Sequence, residues 1–281
     1  MSIYHVLMSM QVNPSSYSPT RVCSPDYDHS SVQFDLSMQQ EIRGIPVSHR
    51  PLLIPRIFEA KYRHVDADKM YFTDGSLIEE TTGFGVFNEI SSASHSLQPP
   101  CSVYVAELAA IHWALDSIAS RPDGHYYIVT DSLSSVEAIH SIKPGKHSPY
   151  FLEKIRNNLS ALSKRRFTIT FVWVPSHCSI VGNEKADSLA KVGAMEGDTY
   201  QREIVFSEFY YLARRNSLVN WQRKWDEDEQ GRWFHSIIPK TRYSIVLILL
   251  AAIYVVVAKV TMTSSILFGR ARSILSPERI L

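Results

Sequence analysis

The chain has 281 residues, of which 45% are hydrophobic, and 29 Lys and Arg against 28 Asp and Glu leave a net charge of +1. That near-neutrality excludes a protein that coats nucleic acid through bulk charge, so any basic surface has to be local. Three cysteines, Cys23, Cys101 and Cys178, are odd in number and widely spaced, which argues against a disulfide framework and for a reducing, intracellular compartment, nucleus or cytoplasm.

Met1 to Val12 lack a basic start and a long apolar core, so no signal peptide is expected. Residues 1–44 are rich in Ser, Pro and Tyr up to Ser37 and are expected to be linker or disorder. Met70-Tyr71-Phe72-Thr73 predicts a buried strand ending at the Asp74-Gly75 turn signal. Thr82 to Phe87 and Ser91 to Leu97 predict the next two strands of an antiparallel meander. Val105, Leu108, Ala109, His112, Leu115 and Ile118 recur at helical spacing. Tyr126 to Thr130 is a second buried strand ending in an acid, Asp131. Helices are predicted over Ser132 to Ile142 and Pro149 to Leu162, and a fifth strand over Phe167 to Val174, rich in β-branched and aromatic residues. Gly182 and Asn183 open an amphipathic helix with Ala186, Leu189, Ala190 and Val192, whose first turns carry Asp187.

Four carboxylates thus stand in or beside apolar stretches: Asp74 and Asp131 at strand ends, Glu107 on a helix near its apolar stripe, and Asp187 near a helix start. A carboxylate is costly to desolvate unless a cation or a proton compensates it. Singly, each has an ordinary explanation as a turn former or a helix acid. Together they suggest a shared site for a hard, oxygen-seeking ion such as magnesium, and the absence of a neighbouring Cys/His cluster argues against zinc. Two such ions roughly 3.5–4 Å apart suit metal-assisted phosphodiester hydrolysis. His177, on the stretch leading into the Asp187 helix, is placed to move protons. Glu184, Glu137 and Asp116 are assigned to solvated helix faces, Trp113 and Trp173 to packing, and His112 to the core.

Tyr-Phe-Thr-Asp74-Gly-Ser, Val-Ala-Glu107-Leu-Ala-Ala-Ile, Val-Thr-Asp131-Ser and Trp-Val-Pro-Ser-His177 followed by Gly-Asn-Glu-Lys-Ala-Asp187 resemble, in order and spacing, the motifs of type 1 ribonuclease H. The flavour is that of the domain following the reverse transcriptase in non-LTR retrotransposons. The resemblance implies an α/β fold with a ribonuclease H-like five-stranded mixed sheet flanked by helices over residues 67–195, preceded by a connector at 45–66. It also implies a monomeric endonuclease that hydrolyses the RNA strand of RNA–DNA hybrids with two Mg²⁺ or Mn²⁺ ions. Asp74, Glu107, Asp131 and Asp187 would be metal ligands, His177 an auxiliary catalytic residue, and Gly75 and Ser76 contacts to the hybrid, selected through its 2′-hydroxyls. One departure stands out. Ile139 to Phe167 is too short for the extra helix and basic loop of many cellular relatives, leaving Lys164-Arg165-Arg166 with Lys143 and Lys146 as the local positive cluster.

Residues 203–240 read as an amphipathic helical extension whose Trp221, Trp225 and Trp233 suit packing more than base stacking. Residues 244–268 form an apolar tail. Its uninterrupted run, Ile245 to Ala258, falls short of the roughly 20 residues that cross a bilayer, and extension to Phe268 encloses Lys259. Two alternatives to a working nuclease stay open at this point: a retrotransposon remnant that binds nucleic acid without cleaving it, and a membrane-anchored protein that uses the fold as a cytosolic domain.

Overall fold

The structure, a computed structural model, describes residues 17–18, 30–98, 101–141, 150–202, 204–205, 218–227, 232–237 and 239–240. The β-branched and aromatic runs form strands β1 (Val32–Asp35), β2 (Met70–Ile78), β3 (Thr81–Phe87), β4 (Ser92–Leu97), β5 (His125–Thr130), β6 (Thr168–Trp173) and β7 (Thr199–Tyr200). They make one mixed sheet in the order β1-β6-β5-β2-β3-β4-β7. Strands β2, β3 and β4 form an antiparallel meander. Strand β5 runs parallel to β2, and β6 parallel to β5.

The expected sheet of five strands is therefore corrected to seven. The five central strands are those anticipated, and β1 and β7 add a parallel strand at each edge. The addition of β1 also revises the expected linker at 1–44. Val32 is buried in the core, and Phe34 stacks on Phe171 with ring centroids 5.4 Å apart. Separately, Tyr17–Ser18 pairs with Ile204–Val205 as a short parallel ladder.

Successive strand residues point to opposite faces, and the sheet has a core on each. Tyr71, Ile128 and Phe171 face one side with α2 (Val103–Ala119), α3 (Leu133–Ser141) and α4 (Tyr150–Ser163), packing among Ile111, Leu115, Ile139 and Ile155. Their sequence neighbours Phe72, Val129 and Val172 face the other side. There they meet α1 (Arg50–Tyr62) and the start of α5 (Val181–Glu196), with Ile54, Phe58, Tyr62, Ile180 and Ala186 buried. Helix α1 forms despite Pro55 in its interior. Ile54, Phe58 and Tyr62 recur every four residues as one buried stripe, and that burial offsets the hydrogen bond the proline removes. The connector predicted at 45–66 is thus part of the nuclease-like layer structure.

Residues 1–210 and 211–281 form two compact units. In the second, 218–227 and Arg232–Ile237 are helical. Trp221 and Trp233 in this unit are 45% and 69% exposed. Among the described residues no helix is long and apolar enough to cross a membrane. The apolar tail 244–268 lies outside the described residues, as do Lys143 and Lys146.

Candidate active site

Strand register builds the centre of the site. In the parallel pair of β2 and β5, Thr73 is opposite Thr130. The next residues, Asp74 and Asp131, therefore project side by side from neighbouring strands, which lie about 4.8 Å apart. Strand β2 does not end at Asp74, as the Asp-Gly pair suggested, but continues to Ile78. The turn falls instead at Glu79, whose φ of 55° is left-handed. Gly75 serves a different purpose: a Cβ there would lie 2.7 Å from the Glu107 backbone nitrogen and 2.9 Å from the Ala106 Cβ. The missing side chain lets α2 approach the strand, and so brings Glu107 over Asp74. Ser102 caps the same helix, its Oγ accepting from the Val105 N–H at 3.3 Å, which satisfies one of the open donors of the first turn.

A second close approach places α5. Gly85 on β3 is paired with Asp74, and a Cβ on Gly85 would meet the Ala186 carbonyl oxygen at 2.3 Å and the Ala190 nitrogen at 2.4 Å. With nothing between β3 and the helix backbone, Asp187 is carried towards the carboxylates of the sheet. Its charge acts on both Asp74 and Asp131.

Oxygen atoms of Asp74, Glu107 and Asp131 all lie within 4.8 Å of one another. Asp74 and Glu107 are 7% and 6% exposed. Burial, reinforced by the charges of Asp131 and Asp187, pushes the Asp74 carboxyl up to about 7. Burial and the charges of Asp74 and Asp131 hold Glu107 well above the usual carboxylate range. Asp131 is raised by burial too, though hydrogen bonds from Asn183 and Ser176 and the nearby His177 work against it. The Gly75 N–H donates to Asp74 Oδ1 at 2.8 Å. The Trp173 indole N–H donates to the Asp131 carbonyl at 3.0 Å, fixing the end of β5.

Asp187 belongs to a neighbouring group. Its carboxylate, a ring nitrogen of His177 and the carboxylate of Glu184 lie mutually within 4.8 Å. Asp187 Oδ2 also accepts from Lys191 Nζ, one helical turn on, at 2.6 Å. His177 is exposed, on a loop where both it and Ser179 adopt left-handed φ, 52° and 60°. The Ser179 N–H donates to Glu184 at 3.1 Å and ties that loop to the start of α5. All five predicted catalytic residues thus stand at one end of the sheet, in two adjoining groups. Ser76, expected to touch substrate, is half-buried beside Gly75 on β2.

Sequence reasoning left two residues out. Glu184 was given to a solvated face, yet it completes the His177 group. Asn183 is 3% exposed and donates from Nδ2 to Asp131 Oδ2 at 3.3 Å. Both were accessible from spacing: residues three and four before Asp187 share its helix face. In the described part of the basic cluster, Arg165 is already engaged. Arg165 donates to the Ala119 carbonyl, pairs with Asp123 and lies 4.5 Å from the Phe167 ring centroid. Lys164 and Arg166 stay exposed.

Whether these residues suit a divalent cation can be tested on the site itself. Asp74, Glu107 and Asp131 supply hard carboxylate oxygens alone, the donor set of Mg²⁺ and Mn²⁺ rather than of softer ions. Glu107 Oε2 is buried with no hydrogen-bond partner, an arrangement that costs on the order of 1–3 kcal/mol unless another ligand meets it. Two buried acids and a half-buried third, their charges repelling one another, with an open acceptor, fit a cation well.

Residues 66–195 match the family model described as RNase H. That match and the layered sheet support an RNase H domain over this span, of the ribonuclease H-type hydrolase class. No curated protein matches the chain.

Proposed function

We propose that this domain is an endonuclease that hydrolyses the RNA strand of RNA–DNA hybrids with divalent-metal assistance, and that it derives from a retrotransposon ribonuclease H. The observation that carries the reading is the meeting of Asp74 and Asp131, from neighbouring strands, and Glu107 of α2 within 4.8 Å, with a buried Glu107 oxygen left unpartnered. The motif order from Tyr71 to Asp187 supports the retrotransposon link, and an intracellular setting follows from the substrate.

In this reading Asp74, Glu107 and Asp131 hold one ion, and Asp74 with Asp187 a second. Bound there, Mg²⁺ or Mn²⁺ would stabilise the attacking and leaving oxygens of an in-line phosphodiester displacement. The chain's own groups do the rest. Gly75 lets α2 close onto β2 beside Asp74, and with Ser76 it meets the hybrid, where RNA is distinguished by its 2′-hydroxyls. His177, exposed on its strained loop, exchanges a proton at a ring nitrogen with the departing 3′ oxygen. Glu184 orients that ring, and Lys191 neutralises Asp187 until an ion takes over. With Arg165 already engaged by the Ala119 carbonyl and Asp123, the described part of the basic cluster offers few phosphate contacts, so the domain's grip on the hybrid is weak and its salt dependence shallow.

The test is turnover of a hybrid labelled on the RNA strand by the full-length chain in Mg²⁺, beside an RNA duplex and a DNA duplex. Cleavage of the RNA strand in the hybrid alone is expected, with loss on the order of 10³-fold in Asp131→Asn, the several kcal/mol that metal charge supplies. Hybrid binding without any cleavage by the wild type would identify a silent remnant instead.

A further inference from the structure

We infer that Asn183 is a positioning residue that holds the Asp131 carboxylate in its ion-binding orientation and couples it to helix α5; this rests on the metal-site reading above. An ionised carboxylate only accepts hydrogen bonds, so a buried side chain placed against Asp131 has to offer a donor. Asn183 does, through Nδ2 at 3.3 Å from Asp131 Oδ2. Its other polar atom, Oδ1, is buried with no hydrogen-bond partner. The bond to Asp131 therefore decides the amide's orientation, since the flipped amide would set oxygen against oxygen.

The backbone around Asn183 fixes how deep the amide reaches. A Cβ on Gly182 would lie 2.2 Å from the Phe72 ring, so only glycine lets the first turn of α5 sit this low on β2. Asn183 and Asp187 then face the site together, four residues apart on one helix. One element thus bears on carboxylates from both groups: Asp187 directly, and Asp131 through the amide. The carboxylate that Asn183 holds through Oδ2 is the one with an oxygen within 4.8 Å of oxygens of Asp74 and Glu107. Partners of this kind fix the rotamer of a ligand, and their removal typically costs about 10–100-fold in metal affinity or activity.

The experiment is a double-mutant cycle read by calorimetric titration of Mn²⁺ into the full-length chain. In the wild-type background, Asn183→Ala should weaken Mn²⁺ binding by about 10–100-fold and lower kcat on the hybrid while leaving KM close to unchanged. In an Asp131→Ala background the same substitution should change Mn²⁺ affinity little, because the group it positions is gone. Asn183→Leu, which keeps the branched shape and removes the donor, should behave as Asn183→Ala does. Equal losses in both backgrounds would mean a merely structural residue and overturn the inference, as would wild-type Mn²⁺ affinity in folded Asn183→Ala or Asn183→Leu protein. Because Mn²⁺ binding is read apart from cleavage, a wild type that binds the ion yet leaves the hybrid intact sinks the nuclease reading without touching this one.

Discussion

Asp35 closes the edge strand β1 and Asp74 sits in the central strand β2, and the surroundings of these two carboxylates push them in opposite directions. Burial would raise Asp35, but hydrogen bonds from Lys61, Ser37 and Tyr62 overcome it and hold the acid well below the usual carboxylate range. Lys61 Nζ lies 2.8 Å from Asp35 Oδ2, the Tyr62 hydroxyl donates to the same oxygen at 2.7 Å, and Lys61 also contacts the Ser37 hydroxyl. Asp74 is raised first by its burial and then by the charges of Asp131 and Asp187, and is pushed up to about 7. The paired acid fastens α1 to β1 and needs nothing more. The crowded acids keep an unmet demand for positive charge, and that demand distinguishes a functional carboxylate from a structural one.

The contrast can be broken at several points. The largest effect is expected from Gly85→Ala, because the added methyl would run into the Ala186 carbonyl at 2.3 Å and force α5 off the sheet. A loss of about 1–3 kcal/mol in denaturant unfolding is expected, together with a fall in hybrid turnover measured well below the melting temperature, as Asp187 moves with the helix.

Next comes Asp35→Asn, which leaves Lys61 and Tyr62 without their charged acceptor. About 1–2 kcal/mol of stability should disappear at neutral pH while turnover of the remaining folded protein is unchanged. The sign with pH follows from the lowered value. The unfolded chain binds more protons than the folded one, so the stabilisation is present above the ordinary Asp range near pH 4 and fades as pH falls through the folded value. The difference between wild type and variant should therefore narrow in acid.

The matching change at Asp74 has the opposite sign. With its folded value raised to about 7, the folded state binds the extra proton, so this group weakens the ion-free fold progressively as pH rises from about 4 through 7. In EDTA, Asp74→Asn should melt higher than wild type at pH 8, by an effect on the order of 1 kcal/mol, and the gap should close near pH 4. Added Mg²⁺ should raise the melting temperature of wild type and leave the variant where it was.

Much of the sheet was legible because buried strands declare themselves. Met70 to Thr73, Tyr126 to Thr130 and Phe167 to Val174 are dense in aromatic and β-branched residues, and the acids that follow the first two runs mark the site. The two edge strands were not, since β1 and β7 span four and two residues, too short for alternation to show. Helix α1 was disguised by Pro51 and Pro55, ordinarily breakers. Gly75 read as a turn although it marks the close approach of a helix, a distinction that only three dimensions supply. Glu184 read as solvent-facing because polar helix residues usually are, and Asn183 only as part of the helix start. What sequence could not convey is that α5 lies low enough on the sheet, over Gly85 and beside Phe72, to bury that face.

Calorimetric titration of Mn²⁺ at pH 8 into wild-type chain and into Glu107→Gln tests most directly whether Asp74, Glu107 and Asp131 form a cation site. Saturable binding by the wild type, weakened at least about tenfold when the buried Glu107 carboxylate becomes an amide, is expected. Absence of binding, or equal binding by both proteins, would contradict it.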